Sequence, residues 1–296
     1  MHRFYIAPNE WNPDALLLSE AEAHHARNVL RLQPGAKAVL FNGRGCEVTA
    51  EIVSSDSGGV ALRKIHQNTT SPLRCRITLG QAIPKGKNMD LIVQKAVELG
   101  AAEIVPIISD RTIVRLDEKE AAQKQAKWQT IAIEAAKQSG QNWLPEVQTP
   151  RTLTQFFSAS PIAAVYDRRG EVPPVAAVYD RRGEVRTREL SVHREQVESV
   201  GAHRAPLQAA FDLQLIGSLQ SDALHLKKIL SDHSTGHGAL PRKVLMLIGP
   251  EGDFTPAELN LARAHGCLPI TLGPIILRVE TAAIYCLSVL SYELLA

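Results

Sequence analysis

The most restrictive feature of the sequence is an alternation of apolar strands and amphipathic helices that begins near residue 75. The segment 244–248 is almost wholly apolar, which is typical of a central strand in a parallel sheet. Thr255, Pro256 and Glu258 follow it at the spacing of a helix N-cap, a first-turn proline and a capping-box acid. This alternation predicts a parallel α/β sheet in the larger, C-terminal part of the chain.

The predicted elements of this part are short strands and longer helices. The strands are expected at 77–83, 104–108, 213–217, 244–248 and 268–272. The helices are expected at 88–99, 120–137, 223–230, 256–265 and 281–295. Asn88 is expected to cap the first of these helices and Gly100 to end it.

The first 70 residues follow a different pattern. Apolar runs at 37–41, 46–53 and 60–62 are separated by Asn42-Gly43 and by Gly58-Gly59, which are typical of hairpins. One helix is expected from Glu20 to Arg31. These features predict a small β-barrel in front of the α/β region.

Composition excludes several classes of protein. The 296 residues carry a net charge of +2, which excludes a histone-like, strongly basic nucleic-acid binder. The four cysteines form no C-x-x-C pair, so no structural zinc is expected. The absence of an apolar stretch of about 20 residues and of a signal-peptide pattern predicts a cytoplasmic protein with no membrane partner.

An exact tandem repeat interrupts the α/β pattern. Residues 163–172 recur as 176–185, joined by Pro-Pro-Val. Two identical copies do not make a solenoid, which needs at least three units. The interpretation is a surface insertion over 163–208, with an Arg-rich arm that contacts phosphate as the alternative.

Three segments carry polar groups at the ends of predicted strands. The first is the glycine-bearing turn 249–253, the second is the loop 271–282 with Arg278 and Glu280, and the third is the corner at Lys85 and Lys87. Neither a G-x-G-x-x-G fingerprint nor a P-loop is present, which speaks against a phosphate cradle. Each segment also has a plain structural interpretation: a tight turn, a surface Arg–Glu pair and a solvated charged face.

Taken in order, the motifs resemble a known family. They are His25–Arg31, Phe41–Gly45, Lys85–Met89, Lys95–Gly100, Gln138–Gly140, Ile248–Gly252 and Leu272–Gly273 with Arg278 and Glu280–Ala282. The sequence resembles the RsmE family of 16S ribosomal RNA methyltransferases, in the SPOUT superfamily. The resemblance covers nearly the whole chain except the repeat.

The resemblance implies a PUA-like RNA-binding barrel over 1–72 and a SPOUT methyltransferase domain over 73–296, whose C-terminal part forms a trefoil knot. It implies a homodimer that binds S-adenosylmethionine and methylates N3 of a uridine in 16S rRNA of the small ribosomal subunit. No metal is implied. The long apolar last helix is expected to bury one face against the second subunit.

The resemblance also implies roles for particular residues. Arg278 and Glu280 are expected to be catalytic: Arg278 stabilises charge on the target base or orients it, and Glu280 positions Arg278 rather than accepting the proton. The sequence does not identify the residue that accepts the proton. The expected cofactor-binding residues are Gly217, Leu247, Ile248, Gly249, Pro250, Glu251, Gly252, Thr271, Leu272, Gly273, Ile276 and Leu277. The expected RNA contacts are Arg27, Arg31, Lys85, Lys87, Lys95 and Glu98.

Three positions depart from the family pattern. Ile275 and Gln141 stand where relatives usually carry arginine, and Asp253 stands where the pattern has a second glycine. Two other hypotheses remain. One is a non-catalytic RNA-binding ribosome assembly factor with the same fold, which would not bind the cofactor. The other is an unrelated α/β enzyme with a nucleotide cofactor, which the missing phosphate fingerprint disfavours.

Overall fold

The structure is a computed structural model that describes residues 1–56, 59–112, 116–158 and 211–295. The insertion predicted at 163–208, with its tandem repeat, lies outside the described residues, as does part of the predicted turn at Gly58.

The first part of the chain forms a four-stranded sheet in the order β1-β2-β3-β4. Its elements are β1 (His2–Tyr5), α1 (Glu20–His24), a π-helical turn (His25–Val29), β2 (Lys37–Phe41), β3 (Cys46–Asp56) and β4 (Gly59–Thr69). Strands β2, β3 and β4 pair antiparallel, as the two hairpin signals predict, whereas β1 pairs parallel with β2. The single helix predicted at 20–31 is wrong in extent. The α-helix widens into a π-turn after His24, and Arg31 takes a positive φ of 51° beyond its end.

The second part of the chain contains a parallel sheet, as predicted. Its elements are β5 (Arg76–Ala82), α2 (Asn88–Glu98), β6 (Glu103–Ile108), α3 (Glu118–Ser139), β7 (Glu146–Val147), β8 (Arg151–Thr152), α4 (Leu153–Ser158), β9 (Leu213–Gly217), β10 (Leu224–His225), α5 (Leu226–His237), β11 (Lys243–Ile248), α6 (Pro256–Ala264), β12 (Leu268–Thr271) and α7 (Val279–Leu294).

Every recorded strand pair in this sheet is parallel, and the order is β10-β12-β9-β11-β5-β6-β7, with β8 also on β6. The apolar strand β11 lies in the middle, between β9 and β5. Its residues Val244, Met246 and Ile248 pack in one core with α2 and α7. This order brings the carboxyl ends of β9, β11 and β12 side by side.

Helix ends explain where the sequence predictions succeed and fail. Thr255 and Glu258 form the predicted capping box at α6, with Pro256 at the first helical position. Asn88 does not cap α2, because Lys87 occupies the N-cap and Asn88 is already helical. The helix predicted at 223–230 begins at Leu226, because Leu224 and His225 pair with β12 first.

A polar cluster joins the first sheet to the parallel-sheet region. The Arg3 guanidinium donates to the Glu47 carboxylate at 3.0 Å and to the side chain of Asn142. Lys137 of α3 donates to Glu22 of α1 at 3.0 Å, with both side chains largely buried. Gln141 adds its carbonyl as an acceptor for Arg3, so this departure from the family pattern lies at the junction.

In the parts of the chain that the structure covers, no helix combines the length and the apolarity needed to cross a bilayer.

Candidate active site

A cavity of about 530 Å³ opens at the carboxyl ends of β9, β11 and β12. Open parallel sheets bind ligands at this edge, where the loops that follow adjacent strands meet. Three turns and the start of α7 form its walls. Its lining residues are Asn88, Gly217–Leu219, Ile248–Asp253, Thr271–Gly273, Ile275–Glu280 and Ala282.

The structure brings nearly all of the predicted cofactor residues to this cavity, together with Arg278 and Glu280. The exception is Leu247, which does not line it. Strand alternation turns the Leu247 side chain to the opposite face of the sheet from Ile248. On that face Leu247 is fully buried and packs directly against Gly80. A Cβ added to Gly80 would lie 2.4 Å from the Cδ2 atom of Leu247.

The turn after β11 folds tightly back on itself. A Cβ at Gly249 would lie 3.0 Å from the backbone nitrogen of Phe254 and 3.2 Å from the carbonyl carbon of Asp253. Gly252 and Asp253 both have a positive φ, of 86° and 71°. Aspartate is one of the few residues besides glycine that adopts this conformation readily, which explains how Asp253 replaces the family's glycine.

The carboxylate of Asp253 accepts hydrogen bonds from two backbone N–H groups of this chain. Its Oδ2 atom accepts a hydrogen bond of 2.9 Å from the backbone N–H of Leu219, and its Oδ1 atom accepts one of 2.8 Å from Phe254. The bond to Leu219 links the turn after β11 to the turn after β9, and both turns line the cavity.

Glu251 connects the same turn to the corner between β5 and α2. Its exposed carboxylate accepts a hydrogen bond of 3.1 Å from the backbone N–H of Lys85. Lys85 and Lys87 are both exposed at this corner. The structure therefore brings these two predicted RNA contacts to the edge of the cavity.

The start of α7 carries the two predicted catalytic side chains. Arg278 is the N-cap residue of α7 and is exposed, and within the described residues its guanidinium takes part in no recorded hydrogen bond or ion pair. Glu280 is half-buried, and its Oε2 atom accepts a hydrogen bond of 3.2 Å from the amide of Asn88. Glu280 is thus held by Asn88 rather than paired with Arg278.

The remaining predicted RNA contacts lie away from the cavity lining. Lys95 and Glu98 form an ion pair of 2.7 Å with each other on α2. Arg27 donates to the carbonyl of Ala23 at 3.4 Å, and Arg31 is exposed beyond the π-turn. These four residues are not among those that line the cavity.

Several residues that line the cavity were not among the expected cofactor-binding residues, namely Asn88, Ser218, Leu219, Asp253 and Ile275. Ser218 and Leu219 directly follow Gly217, so the predicted strand end at 217 could have indicated that they lie at the ligand-binding edge of the sheet. Ile275 is 73% exposed at the mouth of the cavity.

The charged groups of the lining are three carboxylates, Glu251, Asp253 and Glu280, and one guanidinium, Arg278. This balance favours a ligand with positive charge over a phosphate. Across the described parts of the chain, no cluster of three or more His, Cys, Asp or Glu side chains is arranged to hold a metal ion.

Comparison with known proteins identifies two domain families. The profile of the RNA methyltransferase domain matches residues 71–180 and 205–291. The profile of the RNA methyltransferase PUA domain matches residues 18–65.

Individual relatives extend over almost the whole chain. The ribosomal RNA small subunit methyltransferase E of Bacillus subtilis is 28% identical over 273 residues, which cover 92% of this chain and 88% of that protein. The enzyme of the same name from Aquifex aeolicus is 26% identical, with 98% and 99% covered. A crystal structure of a ribosomal RNA small subunit methyltransferase E from Neisseria gonorrhoeae, bound to S-adenosyl methionine, superimposes with a TM-score of 0.71. The two sequences are 28% identical, and the match covers 99% of this chain and 98% of that one. The chain therefore belongs to the RNA methyltransferase family that includes the ribosomal RNA small subunit methyltransferase E proteins.

Proposed function

We propose that this protein is an S-adenosylmethionine-dependent methyltransferase that methylates N3 of a uridine in 16S rRNA of the small ribosomal subunit. The observation that carries the proposal is the meeting of three turns around one cavity, with the Arg278 guanidinium and the Glu280 carboxylate on its wall. Relatives named ribosomal RNA small subunit methyltransferase E align along almost the full length of the chain.

The chemistry of the cavity fits the cofactor. Ile248 and Leu277 line the cavity and would give the adenine apolar contacts, and backbone groups of the glycine-bearing turns would hydrogen-bond to its polar atoms. The three carboxylates suit a cationic ligand without phosphate. When bound, S-adenosylmethionine supplies a methyl group that is activated by a positively charged sulfur.

Methylation at N3 of uridine requires loss of the imide proton, because the nitrogen attacks with the electron pair that this proton leaves behind. Glu280 is the proposed proton acceptor, through its Oε1 atom, since Oε2 already accepts from Asn88. Arg278 would stabilise the negative charge that develops on the uracil oxygens. With its proton transferred to Glu280, N3 would accept the activated methyl group, and the electron pair of the carbon–sulfur bond would remain on the sulfur.

RNA contacts are proposed for both parts of the chain. Residues 1–72 would form the RNA-docking domain and residues 73–296 the methyltransferase domain. Lys85 and Lys87 would bind phosphates next to the target base, because they lie exposed at the cavity edge. Arg27, Arg31, Lys95 and Glu98 would contact RNA farther from the target base.

We further propose a cytoplasmic homodimer whose C-terminal segment forms a trefoil knot. Buried residues of α7, such as Ala283 and Leu287, face the core of this chain, whereas Tyr285 and Tyr292 on its opposite side are 40% and 80% exposed. Ile276 before the helix is 77% exposed as well. Together these apolar side chains form a surface suited to a second copy.

Transfer of labelled methyl groups from S-adenosylmethionine to RNA tests the function. Purified protein would be incubated with free 16S rRNA and, separately, with small subunits from cells that lack it, and modified nucleosides would be identified by mass spectrometry. We expect one new N3-methyluridine in at least one substrate. Binding of RNA with neither cofactor binding nor methyl transfer would support the assembly-factor hypothesis instead.

A further inference from the structure

Asp253 joins two walls of the cavity through hydrogen bonds of its carboxylate. The Oδ2 atom accepts from the N–H of Leu219 at 2.9 Å, on the turn after β9. The Oδ1 atom accepts from the N–H of Phe254 at 2.8 Å, on its own turn after β11. A glycine, which the family pattern has at this position, has no side chain to make either bond.

The turn 249–253 is also hydrogen-bonded to the loop that follows β6. Arg111, which follows β6, donates to the carbonyls of Gly252 and Asp253. The backbone N–H of Arg111 donates to Ser109 Oγ at 3.3 Å, and this hydroxyl donates to the buried carboxylate of Glu258 at 3.2 Å. Residues 249–253 are therefore fixed to the loop after β6, and the Asp253 side chain extends this support to the turn after β9.

The backbone of Asp253 shows why such bonds are needed for a residue other than glycine. A positive φ of 71° is unfavourable for most L-residues, although aspartate tolerates it better than most. Hydrogen bonds to a charged carboxylate are stronger than those between neutral groups. The two bonds made by the carboxylate therefore stabilise the turn in this geometry.

We propose that Asp253 is a positioning residue that fixes the spacing between the turn 217–219 and the turn 249–253 before the cofactor binds. This inference rests on the proposed function, since it assigns to Asp253 a share of the cofactor affinity. Each carboxylate oxygen already accepts a bond from the chain, so Asp253 acts through Leu219 and Phe254 rather than on the reacting atoms. Pre-formed walls spare the ligand the cost of ordering them.

The test uses the full chain with Asp253→Gly and Asp253→Asn. Glycine accepts the positive φ but removes both bonds, and asparagine keeps a neutral acceptor for one of them. Asp232→Asn is the matched control, because Asp232 is an exposed carboxylate on α5 outside the cavity. Three quantities are measured for each variant: the Kd for S-adenosylmethionine, kcat and KM, and hydrogen exchange at the Leu219 amide without cofactor.

We expect Asp253→Gly to raise the Kd on the order of tenfold, because, of the two lost hydrogen bonds, the one to Leu219 is the charge-assisted bond that joins the two turns. The KM for the cofactor should rise in parallel, with a smaller fall in kcat at saturation. The Leu219 amide should exchange faster than in the unmodified protein. Asp253→Asn should recover part of each loss, and Asp232→Asn should match the unmodified protein.

Two results would overturn the proposal. One is an unchanged Kd in Asp253→Gly. The other is a raised Kd with unchanged exchange at Leu219, which would mean that Asp253 contacts the ligand directly. If the unmodified protein does not bind the cofactor at all, the proposed function fails, while exchange at the Leu219 amide still decides whether Asp253 holds the two turns together.

Discussion

The amide of Asn88, the first residue of α2, donates a hydrogen bond of 3.2 Å to the carboxylate of Glu280 in the first turn of α7. The bond joins two helices that are far apart in sequence at the wall of the cavity. Among the described residues, the Oε1 atom of Glu280 has no hydrogen-bond partner, so under the proposed function it would accept the N3 proton.

Replacement of Glu280 by glutamine should lower kcat by about 10²–10⁴-fold, because an amide cannot accept the N3 proton. The Asn88→Ala substitution should lower kcat less, since it keeps the Glu280 carboxylate and removes only the hydrogen bond that orients it. The rates are measured at saturating cofactor and RNA over a range of pH. A Glu280→Gln enzyme with the kcat of the unmodified protein would remove Glu280 from the catalytic residues.

Replacement of Arg278 by alanine should largely abolish methyl transfer, with a loss of about 10²–10³-fold in kcat, because no other described residue that lines the cavity carries positive charge. The cofactor Kd should change little. Arg242→Ala is the control, since Arg242 is exposed and does not line the cavity. Equal turnover of the Arg278→Ala and Arg242→Ala variants would contradict this role.

Replacement of Gly249 by alanine should weaken cofactor binding. The new Cβ would lie 3.0 Å from the backbone nitrogen of Phe254, so the turn must open to admit it. A strain of about 1–3 kcal/mol is typical of such overpacking and corresponds to a loss of roughly 5- to 150-fold in affinity if the binding-competent turn bears all of it. Gly236→Ala is the control, because a Cβ there meets no atom within 4 Å. The Kd for S-adenosylmethionine is measured for both variants by calorimetric titration. Similar Kd values would contradict the claim that the turn at Gly249 has no room for a side chain.

The ion pair between Arg3 and Glu47 should make the stability of the protein depend on pH in the acid range. Burial alone would raise the pKa of Glu47, but hydrogen bonds from Arg3, Asn142 and Asn68 hold this pKa below its ordinary value of 4.5. The carboxylate therefore stabilises the folded state fully above about pH 4.5, and this contribution is lost as the pH falls through the lower, folded pKa.

Urea unfolding of the unmodified protein and of Glu47→Gln measures the effect. The difference in free energy of unfolding between them should be largest near neutral pH and should shrink as the pH falls below about 4.5. A difference that stays constant down to about pH 3 would show that Glu47 is not held as a stabilising anion.

The buried thiols should resist alkylation in the folded protein. Burial raises the pKa of Cys267 and of Cys286 to about 12, and burial is also the largest cause that raises the pKa of Cys75 to about 11. Only the thiolate reacts, and at pH 8 a thiol with a pKa of about 12 is ionised in roughly one molecule in 10⁴. Iodoacetamide should therefore label Cys46, which is only half-buried, and label all four after unfolding. Rapid labelling of Cys286 in the native protein would contradict the described packing.

The sequence predicts the parallel sheet well, because its signals are local and agree with one another. The apolar strand 244–248, the capping box of Thr255 and Glu258, and the glycine-bearing turn between them all describe the same strand–turn–helix unit. Most residues of the cavity follow, since the ends of parallel strands lie at one edge.

The Leu247 side chain does not line the cavity, because strand alternation, which is a local pattern, directs it to the opposite face. The other failures are long-range. Asn88 was expected to cap its own helix, but the amide bonds instead to Glu280, 192 residues farther along the chain. The partnership of Asp253 with Leu219 likewise depends on the adjacency of β9 and β11, which no local pattern specifies.

The most direct test of the central claim is mass mapping of modified uridines in 16S rRNA from cells that lack this protein. We expect one N3-methyluridine to disappear from the small subunit, to return when the unmodified gene is supplied, and to stay absent with Arg278→Ala. An unchanged set of N3-methyluridines in the deletion strain would contradict the assignment of this cavity to methyl transfer onto that RNA.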